Sequence, residues 1–339
     1  MEVTLRRSIL LVTFALLLSG LSFAQKYGVT DLGTLGGSAA AANAINSRGQ
    51  ITGYSSINGN SVHAFLWSSG TMQDLGTLGG TDAIGLGINA SGDVVGYSEL
   101  GDGAYRGFAY SGGRMITLPP LSGDYGTAYG INNSRQVIGN SKTAGGIAAG
   151  VVFFHGVNTD LGNLGGDDGT SATAINKLGQ VVGYSYNTRG DFRAFLWQSG
   201  TMSDLGTLGG DWSQAYAIND VGQITGSAYL SGNFGPHAFI LSNGTMVDVD
   251  KRSKLLQSAG LSINRTGIVV GKMQIPGGQF VTFDAMIVIN GKMTDLNTLI
   301  APGSGWILQE AHGINDSGQI VGLGLLNKQT RAFLLTPVQ

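Results

Sequence analysis

The sequence predicts an all-β fold, a seven-bladed β-propeller with four short strands in each blade of about 43–45 residues. Three markers carry this prediction: an Ile-Asn pair, an apolar strand of the type AFLW, and the stretch DLGTLGG with its relatives. All three recur along the chain at similar spacing. A period of this length with four strands per unit is typical of a propeller blade, and seven units fall within the usual range of about four to eight blades.

The Ile-Asn marker gives the period most clearly. Its asparagines are separated by 43, 43, 44, 43, 45 and 51 residues. They are Asn46, Asn89, Asn132, Asn176, Asn219, Asn264 and Asn315. The apolar marker begins at Ala64, Gly107, Val151, Ala194, Ala238, Ala285 and Ala332. A β-helix is the alternative fold, but its parallel strands need no tight hairpin in each unit.

Each unit contains four strands. The first ends in Ile-Asn, and an Asn-x-x-Gly turn joins it to the second, which reads QITGYS in the first unit. Asparagine opens such a turn by bonding its own backbone, and glycine closes it because that position usually needs a positive φ. A variable loop leads to the third strand, HAFLW, and a short turn leads to the fourth, TMQDLG.

The third unit departs from this turn rule. Its turn reads NNSR, so Arg135 stands where the other units have glycine. A positive φ strains an arginine by about 1 kcal/mol. The sequence therefore predicts that Arg135→Gly stabilises the protein.

The two ends of the chain predict how the propeller closes. The N-terminal segment YGVTDLG has the pattern of a fourth strand, whereas the C-terminal segment AFLLTPV has the pattern of a third strand. The last blade therefore lacks an outer strand of its own, and we expect the N-terminal segment to supply it. In the other blades, DLGTLGG ends the outermost strand and forms the hinge to the next blade.

Residues 1–24 have the pattern of a secretory signal peptide. Arg6 and Arg7 precede an apolar run, and Ser22-Phe23-Ala24 is a small-x-small ending. We expect cleavage after Ala24, one propeller domain over residues 25–339 without a membrane span, and a secreted protein, extracellular or periplasmic. The chain contains no cysteine, which excludes a lipoprotein anchor and a disulfide framework.

Composition argues against a nucleic-acid partner. Without residues 1–24 the chain has 17 basic and 20 acidic side chains, so it lacks the basic surface that phosphate binding requires. Its 57 glycines are best explained as turn and close-packing positions, because 42% hydrophobic residues exclude wholesale disorder.

The combination of DLGTLGG, AIN..GQI.GYS and HAFLW resembles the HAF repeats, a family of probable extracellular repeats named after His-Ala-Phe. The tripeptide stands at His63-Ala64-Phe65 and again at His237-Ala238-Phe239. The resemblance covers essentially the whole chain after the leader. It implies an extracellular, repeat-built scaffold and brings no established reaction. Other units replace the histidine, for example by Arg193 or Asp284, which argues against a shared catalytic histidine.

One face of the propeller is the candidate binding face. The second-to-third-strand loops differ in every unit, and function is usually carried by such loops on a rigid scaffold. Tyr125, Trp212 and Trp306 lie in blade-to-blade loops on this same face. Exposed aromatic rings suit the faces of sugars, so these three are the predicted ligand-binding residues, with lids over the core as the alternative.

Blade seven contains the one compact acid-base pair, Glu310 and His312, which share a face of a strand. The pair is a candidate for proton transfer, although a structural histidine is the more common case. Acidic residues also follow the hinges, where turn capping is a better explanation than calcium binding. These residues are Asp82, Asp124, Asp167, Asp168 and Asp211. The sequence predicts no cofactor and no metal site.

The leading functional hypothesis is a secreted scaffold that binds a cell-surface or environmental polysaccharide. A propeller-fold glycan lyase or hydrolase using Glu310 and His312 is one alternative. A protein–protein interaction module of the cell envelope is another. An enzyme would require further acids to converge on that pair, whereas a binder requires only its exposed rings.

Overall fold

The computed structural model describes residues 26–338, except residue 60 and residues 278–280. The predicted signal peptide lies outside the described residues. The described chain forms seven four-stranded antiparallel sheets and one short 3-10 helix, η1 (Leu296–Leu299), which confirms the predicted seven-bladed β-propeller. Within these residues, no helix is long and apolar enough to cross a membrane.

The blades follow one another along the chain. Blade 1 contains β2 (Ala40–Ile45), β3 (Ile51–Ser56), β4 (Val62–Ser68) and β5 (Thr71–Asp74). Blade 2 contains β6 (Gly79–Ile88), β7 (Val94–Leu100), β8 (Tyr105–Ser111) and β9 (Arg114–Thr117). Blade 3 contains β10 (Ser122–Ile131), β11 (Val137–Lys142), β12 (Ala148–Phe154) and β13 (Val157–Asp160). Blade 4 contains β14 (Gly165–Ile175), β15 (Val181–Asn187), β16 (Phe192–Gln198) and β17 (Thr201–Asp204).

Blades 5 to 7 repeat the pattern. Blade 5 contains β18 (Gly209–Ile218), β19 (Ile224–Leu230), β20 (Phe234–Ser242) and β21 (Thr245–Asp248). Blade 6 contains β22 (Ser258–Ile263), β23 (Val269–Gln274), β24 (Phe283–Ile289) and β25 (Lys292–Asp295). Blade 7 contains β26 (Trp306–Ile314), β27 (Ile320–Leu326), β28 (Gln329–Val338) and the first strand of the chain, β1 (Lys26–Asp31).

The first strand of each blade is the innermost, because the first strands of neighbouring blades contact one another in a closed ring. The hydrophobic core is divided among the junctions between blades. At one junction, Val182 and Ala194 of blade 4 pack with Ala215, Ile224 and Phe239 of blade 5. Each blade therefore buries its apolar faces against its two neighbours.

The ring closes as the sequence predicts. Strand β1 pairs with β28 over six positions, from Lys26 opposite Val338 to Asp31 opposite Phe333. Tyr27 packs into the core between blades 6 and 7, and Leu32 into the core between blades 7 and 1. The N-terminal segment, residues 26–32, thus contributes to the cores on both sides of the closing blade.

A β-bulge interrupts the first strand of every blade. The second strand has a glycine beside the bulge because the backbones are too close for a side chain: a Cβ on Gly53 would lie 2.0 Å from the carbonyl oxygen of Ala41. Bulges commonly re-aim a side chain. Here the bulge residues Asn43 and Thr173 reach the following blade and donate to its carbonyl oxygens at 2.8 Å.

The asparagine of the Ile-Asn marker holds its own turn and also links two blades. In blade 4, Asn176 Oδ1 accepts from the backbone N–H groups of Leu178 and Gln180, as the sequence predicts. Its Nδ2 donates to the carbonyl oxygen of Asn219 in blade 5 at 3.1 Å. The same link recurs in each blade, and Asn315 completes it to Asn46 at 3.1 Å. Seven side-chain amides therefore form a closed ring of hydrogen bonds.

Blade 3 corrects the sequence alignment by one residue. The apolar marker was predicted to begin at Val151, which would make Val151 the counterpart of Ala64. In the structure Val151 pairs with Gly139 as Phe65 pairs with Gly53, so Gly150 is the counterpart of Ala64. Four apolar residues in a row conceal this register, because a one-residue shift leaves the pattern apolar.

Arg135 has a φ of 62°, which confirms the predicted positive value. Its Nε donates to Asp93 Oδ2 at 2.9 Å, and Asp93 is buried. Asp93 occupies a position that is glutamine in five of the other blades. Two departures from the repeat thus form one ion pair between blades 2 and 3, and the predicted gain from Arg135→Gly took no account of it.

We expect Arg135→Gly alone to lower the free energy of unfolding by about 1 kcal/mol at neutral pH. Removing the partner of a buried carboxylate is costly, but the arginine side chain is 66% exposed, which weakens the pair. Asp93→Gln with Arg135→Gly restores the repeat and should be at least as stable as the wild type. Urea unfolding of both single variants and the double variant measures the coupling, and a single Arg135→Gly more stable than wild type would contradict it.

The stability that the Asp93–Arg135 pair contributes depends on pH. Burial alone would raise the pKa of Asp93, but hydrogen bonds from Ser111, Asn89 and Arg135 outweigh it and hold the pKa below its ordinary value. This contribution to stability is therefore present above the unfolded pKa of about 4 and lost as the pH falls through the folded pKa. The double variant should lose less stability than the wild type on acidification over that window.

Candidate functional site

The predicted residue Tyr125 lines a groove on the face that carries the second-to-third-strand loops. This tyrosine groove is formed by Tyr97, Tyr105, Tyr125 and Tyr129, with Asp82 at its edge, and encloses about 420 Å³. Tyr97 and Tyr105 contact each other edge to face at 5.9 Å between ring centroids. The groove lies mainly between blades 2 and 3.

The predicted residue Trp212 lines a second groove on the same face, between blades 4 and 5. This tryptophan groove is formed by Phe192, Trp212, Tyr216 and Tyr229 and encloses about 230 Å³. The rings of Phe192 and Trp212 contact edge to face with their centroids 3.8 Å apart. Phe192 therefore packs against the Trp212 indole and restricts its orientation.

The two grooves occupy equivalent places in the repeat. Tyr105 matches Phe192, Tyr125 matches Trp212, and Tyr129 matches Tyr216, each pair being 87 residues apart, which is two repeats. Both Tyr129 and Tyr216 are bulge residues. At the junction between them, blades 3 and 4 have Ala148, Gly169 and Thr173 at the three positions. Aromatic grooves thus alternate with an aromatic-free junction.

The aromatic residues of the grooves remain accessible and uncharged. Tyr105, Tyr125 and Trp212 are 37%, 38% and 36% exposed, so each ring offers part of its surface to a ligand. Burial raises the pKa of Tyr129 and of Tyr216 above the ordinary value. At neutral pH both phenols therefore keep their proton and can donate a hydrogen bond.

The third predicted residue, Trp306, does not line either groove. It is half-buried at the start of β26, packs against the core between blades 6 and 7, and contacts Phe333 edge to face at 6.1 Å. Its contacts are those of a lid over the core. The structure brings Tyr125 and Trp212 into equivalent sites and places Trp306 apart from them.

Sequence reasoning missed Tyr105, Phe192, Tyr129 and Tyr216 as partners in the grooves. Tyr105 and Phe192 open the third strands, two residues before the apolar marker, where loops of unequal sequence precede them. Tyr129 and Tyr216 stand three residues before the marker asparagine. Comparing all seven units at these two positions would have revealed that aromatic residues coincide at two junctions.

Glu310 and His312 meet, as predicted from their shared strand face. His312 Nε2 lies 3.2 Å from Glu310 Oε2, and Lys272 Nζ of blade 6 lies 3.1 Å from Glu310 Oε1. Burial alone would raise the pKa of Glu310, but His312 and Lys272 outweigh it and lower the pKa below its ordinary value. The carboxylate is therefore held ionised between two basic groups, an unfavourable state for accepting a proton.

His312 also serves as a link between blades. It is the bulge residue of β26, and its Nδ1 lies 2.9 Å from the carbonyl oxygen of Ala42 in blade 1. Asn43 and Thr173 make the corresponding bond in their own blades. A carbonyl oxygen only accepts, so Nδ1 must carry a proton. A catalytic role for this pair stays a prediction.

The first position of the HAF tripeptide faces the aspartate of the DLG motif. His63 Nδ1 lies 2.9 Å from Asp74 Oδ2, and Arg193 Nε lies 3.2 Å from Asp204 Oδ2. His237 makes the same contact with Asp248 at 3.1 Å. Histidine and arginine can replace one another here because either can donate to the carboxylate.

Blade 6 breaks this rule with two carboxylates. Asp284 stands at the histidine position, two residues before Met286, and Met286 pairs with Asp295. Burial, and then the charge of Asp295, raise the pKa of Asp284 to about 6. Asp284 is thus an acid that titrates close to neutral pH.

Two of the five hinge aspartates, Asp82 and Asp211, accept hydrogen bonds from neighbouring segments. Asp82 Oδ1 accepts from the backbone N–H of Val62 in blade 1 at 2.9 Å, and Asp211 Oδ2 accepts from the side-chain amide of Asn233. The side chain of Asp124 lies outside the described part. Among the described residues, no three His, Asp or Glu side chains are grouped so as to hold a metal ion.

No protein-family model matches the chain, and no curated protein matches it. The resemblance to HAF repeats therefore stays a prediction.

Solved structures share the fold. The β-propeller domain of the Trilobed protease from Pyrococcus furiosus matches with a TM-score of 0.58 and 10% identity, over 93% of this chain and 94% of that chain. YCF48 bound to D1 peptide matches at 0.53 and 10%, over 93% and 96%. The WD40 β-propeller domain of Doa1 matches at 0.51 and 13%, over 90% and 97%. At such identities the similarity shows a β-propeller and nothing further.

Proposed function

We propose that this protein is an extracellular scaffold that binds a polysaccharide through the tyrosine groove and the tryptophan groove. The observation that carries the proposal is the recurrence of three aromatic positions at two equivalent junctions on one face. A scaffold with seven similar junctions has no packing need for such a pattern, because the junction between blades 3 and 4 closes without it.

The chemistry of the grooves suits a carbohydrate. A sugar ring presents apolar C–H groups on its faces and hydroxyl groups at its edge. Tyr125 and Trp212 offer exposed rings to the faces, and nearby phenol and carboxylate groups, such as Tyr129 and Asp82, suit the edge. Stacking against one ring contributes only about 1 kcal/mol, so a single groove binds weakly.

Two grooves on one face give a polymer an advantage over a short oligosaccharide. Once one segment of the chain occupies the tyrosine groove, the rest is held near the tryptophan groove at a high effective concentration. Micromolar to millimolar affinity is then expected for the polymer. An extracellular location follows from the leader pattern in residues 1–24 and gives the grooves access to such polymers.

A protein or peptide partner is the second candidate, because the similar structure of YCF48 was determined with D1 peptide. Tyrosine and tryptophan are also enriched where proteins recognise each other. This alternative predicts saturable binding of an extended polypeptide and no affinity for neutral polysaccharides.

We expect alanine at Trp212 together with alanine at Tyr125 to weaken polysaccharide binding at least tenfold. The starting material is a chain beginning at Gln25, screened on a glycan array and then by affinity electrophoresis in gels containing laminarin, xylan or dextran. Isothermal titration with the polymer that retards the wild type measures the loss. Each single variant should weaken binding of the polymer less than the double variant does.

The matched control is Trp197→Phe, because Trp197 packs in the core between blades 3 and 4 and lines neither groove. It should bind like the wild type if it folds. Unchanged binding by the folded double variant would sink the assignment of the grooves. Product formation from a polysaccharide that stops with Glu310→Gln would instead favour the glycan lyase or hydrolase.

A further inference from the structure

A separate cleft opens between blades 2 and 3 on the opposite face, where the short turns lie. This rim cleft is lined by Ile116, Pro119, Arg135, Phe153, His155 and Asn158, among others, and encloses about 350 Å³. Its volume falls within the range of small-molecule sites, about 300–1,000 Å³. It shares no residue with the tyrosine groove.

The cleft coincides with a break in the repeat. Five outer strands have methionine at their second position: Met72, Met115, Met202, Met246 and Met293. These methionines pack against the core at the junction with the preceding blade, as Met202 does between blades 3 and 4. In blade 3 this position is Asn158. It pairs with Phe153, just as Met202 pairs with Trp197 in blade 4. The shorter side chain leaves the junction unfilled.

Asn158 is unfavourable for folding at this position. Its Nδ2 donates to the carbonyl oxygens of Pro119 and Pro120 at 2.9 and 3.2 Å, but its Oδ1 is buried and has no hydrogen-bond partner among the described residues. An orphaned acceptor and lost methionine packing both destabilise the folded state. A residue that breaks the repeat at a cost to stability is expected where a function requires it.

Other departures from the repeat line the same cleft. Pro119 belongs to the hinge LPPLSG, which replaces LGTLGG, and Arg135 replaces the turn glycine. Asp93, which replaces glutamine, also lines the cleft. Departures at four positions therefore meet at one junction.

The walls of the cleft are apolar, and its polar end carries the Arg135 guanidinium paired with Asp93. Ile116 is 50% exposed, and Leu118 and Phe153 continue the apolar wall. Arg135 donates a hydrogen bond from Nε to Asp93 Oδ2, and its two terminal nitrogens make no hydrogen bond within the described residues. Asp93 is buried and also accepts from Asn89, so its charge faces the protein. The guanidinium offers two parallel donors, the geometry that suits a carboxylate.

We infer that the rim cleft binds a small amphipathic carboxylate, a medium-chain fatty acid or a compound of similar shape. The apolar chain lies between Ile116 and Phe153, and the carboxylate accepts from the terminal nitrogens of Arg135. His155, an exposed residue that lines the cleft, offers a further donor. The inference is independent of the polysaccharide proposal because the two sites lie on opposite faces.

The test is a titration of sodium decanoate into a chain beginning at Gln25, below the micellar concentration, followed by calorimetry. Asn158→Met, which restores the repeat residue, should weaken decanoate binding at least about tenfold and raise the melting temperature in the absence of ligand. Asp93→Gln with Arg135→Gly should weaken decanoate about tenfold but leave decanol binding unchanged, because only the charge contact is removed.

Trp212→Ala is the control variant and should bind decanoate like the wild type. Absence of decanoate binding by the wild type would overturn the inference. So would equal binding by folded Asn158→Met, or decylammonium bound as tightly as decanoate. Because every cleft variant restores a residue that other blades already have at that position, loss of binding with an intact melting transition reports on the cleft and not on folding.

Discussion

A chain that begins at Thr34, without Lys26–Gly33, is expected to lose cooperative unfolding or to aggregate. The deletion removes six paired positions from the edge of blade 7 and withdraws Tyr27 and Leu32, which are 4% and 5% exposed, from two cores. Each loss of a large buried side chain costs about 2–5 kcal/mol, and the newly unpaired strand invites association with other chains. The combined loss is comparable to the whole stability of a typical domain, about 5–15 kcal/mol.

Differential scanning calorimetry and size-exclusion chromatography measure this loss against a chain that begins at Gln25. A synthetic peptide of residues 26–33, added in excess, should restore part of the transition because it binds only the folded ring. A scrambled peptide of the same composition should not. If the shortened chain melts like the longer one, β1 is not the closing strand.

Asn176→Ala is expected to lower the free energy of unfolding by about 2–4 kcal/mol. The substitution removes two acceptor contacts to the turn and two donor contacts, one to Gln180 and one to Asn219 in the next blade. Asn176 is buried, so the groups it leaves behind are poorly placed to bond water. Urea unfolding measures the change. The control is Asn163→Ala in an exposed hinge, where a single contact to Gly165 is lost.

Asn176→Asp separates the turn from the link between blades. Its carboxylate still accepts from the backbone of Leu178 and Gln180 but can no longer donate to the Gln180 side chain or to Asn219 in the next blade. As the pH falls and the carboxyl is protonated, it can donate again, so its stability should approach that of the wild type. If Asn176→Asp is as stable as wild type at neutral pH, the two donated bonds, to Gln180 and to Asn219, together contribute nothing measurable.

The periodic part of this fold is predictable because the same sequence pattern recurs in each blade. Asn132 and its counterparts opened the predicted turns, and AFLLTPV without a following strand indicated the missing partner of β28. The ring of amides was not predictable, because the partner of each Nδ2 lies one repeat further along the chain. Its existence depends on how far the blades are rotated relative to one another, which no local pattern encodes.

The candidate sites divide in the same way. Tyr125 and Trp212 are identifiable because both stand seven residues before their marker asparagine, whereas Trp306 lies in an expanded loop outside this register and packs on the core. The rim cleft is not predictable because the apolar run of blade 3 places its marker one residue late, which hides the match of Phe153 with Trp197. Arg135 was noticed as a strained residue, but its partner Asp93 lies 42 residues away.

The ring of asparagine amides has no terminal member. In an open array of repeats the end unit has one neighbour and can fray by itself, and unfolding then spreads inward. Here a blade can unfold only when its contacts with both neighbouring blades break, so a first unfolding step of low free energy is not expected. We therefore expect the lifetime of the native state to be set by a rare opening that involves several blades at once. A protease that requires extended polypeptide can cleave only after that opening. Its rate of cleavage therefore measures the lifetime of the closed ring.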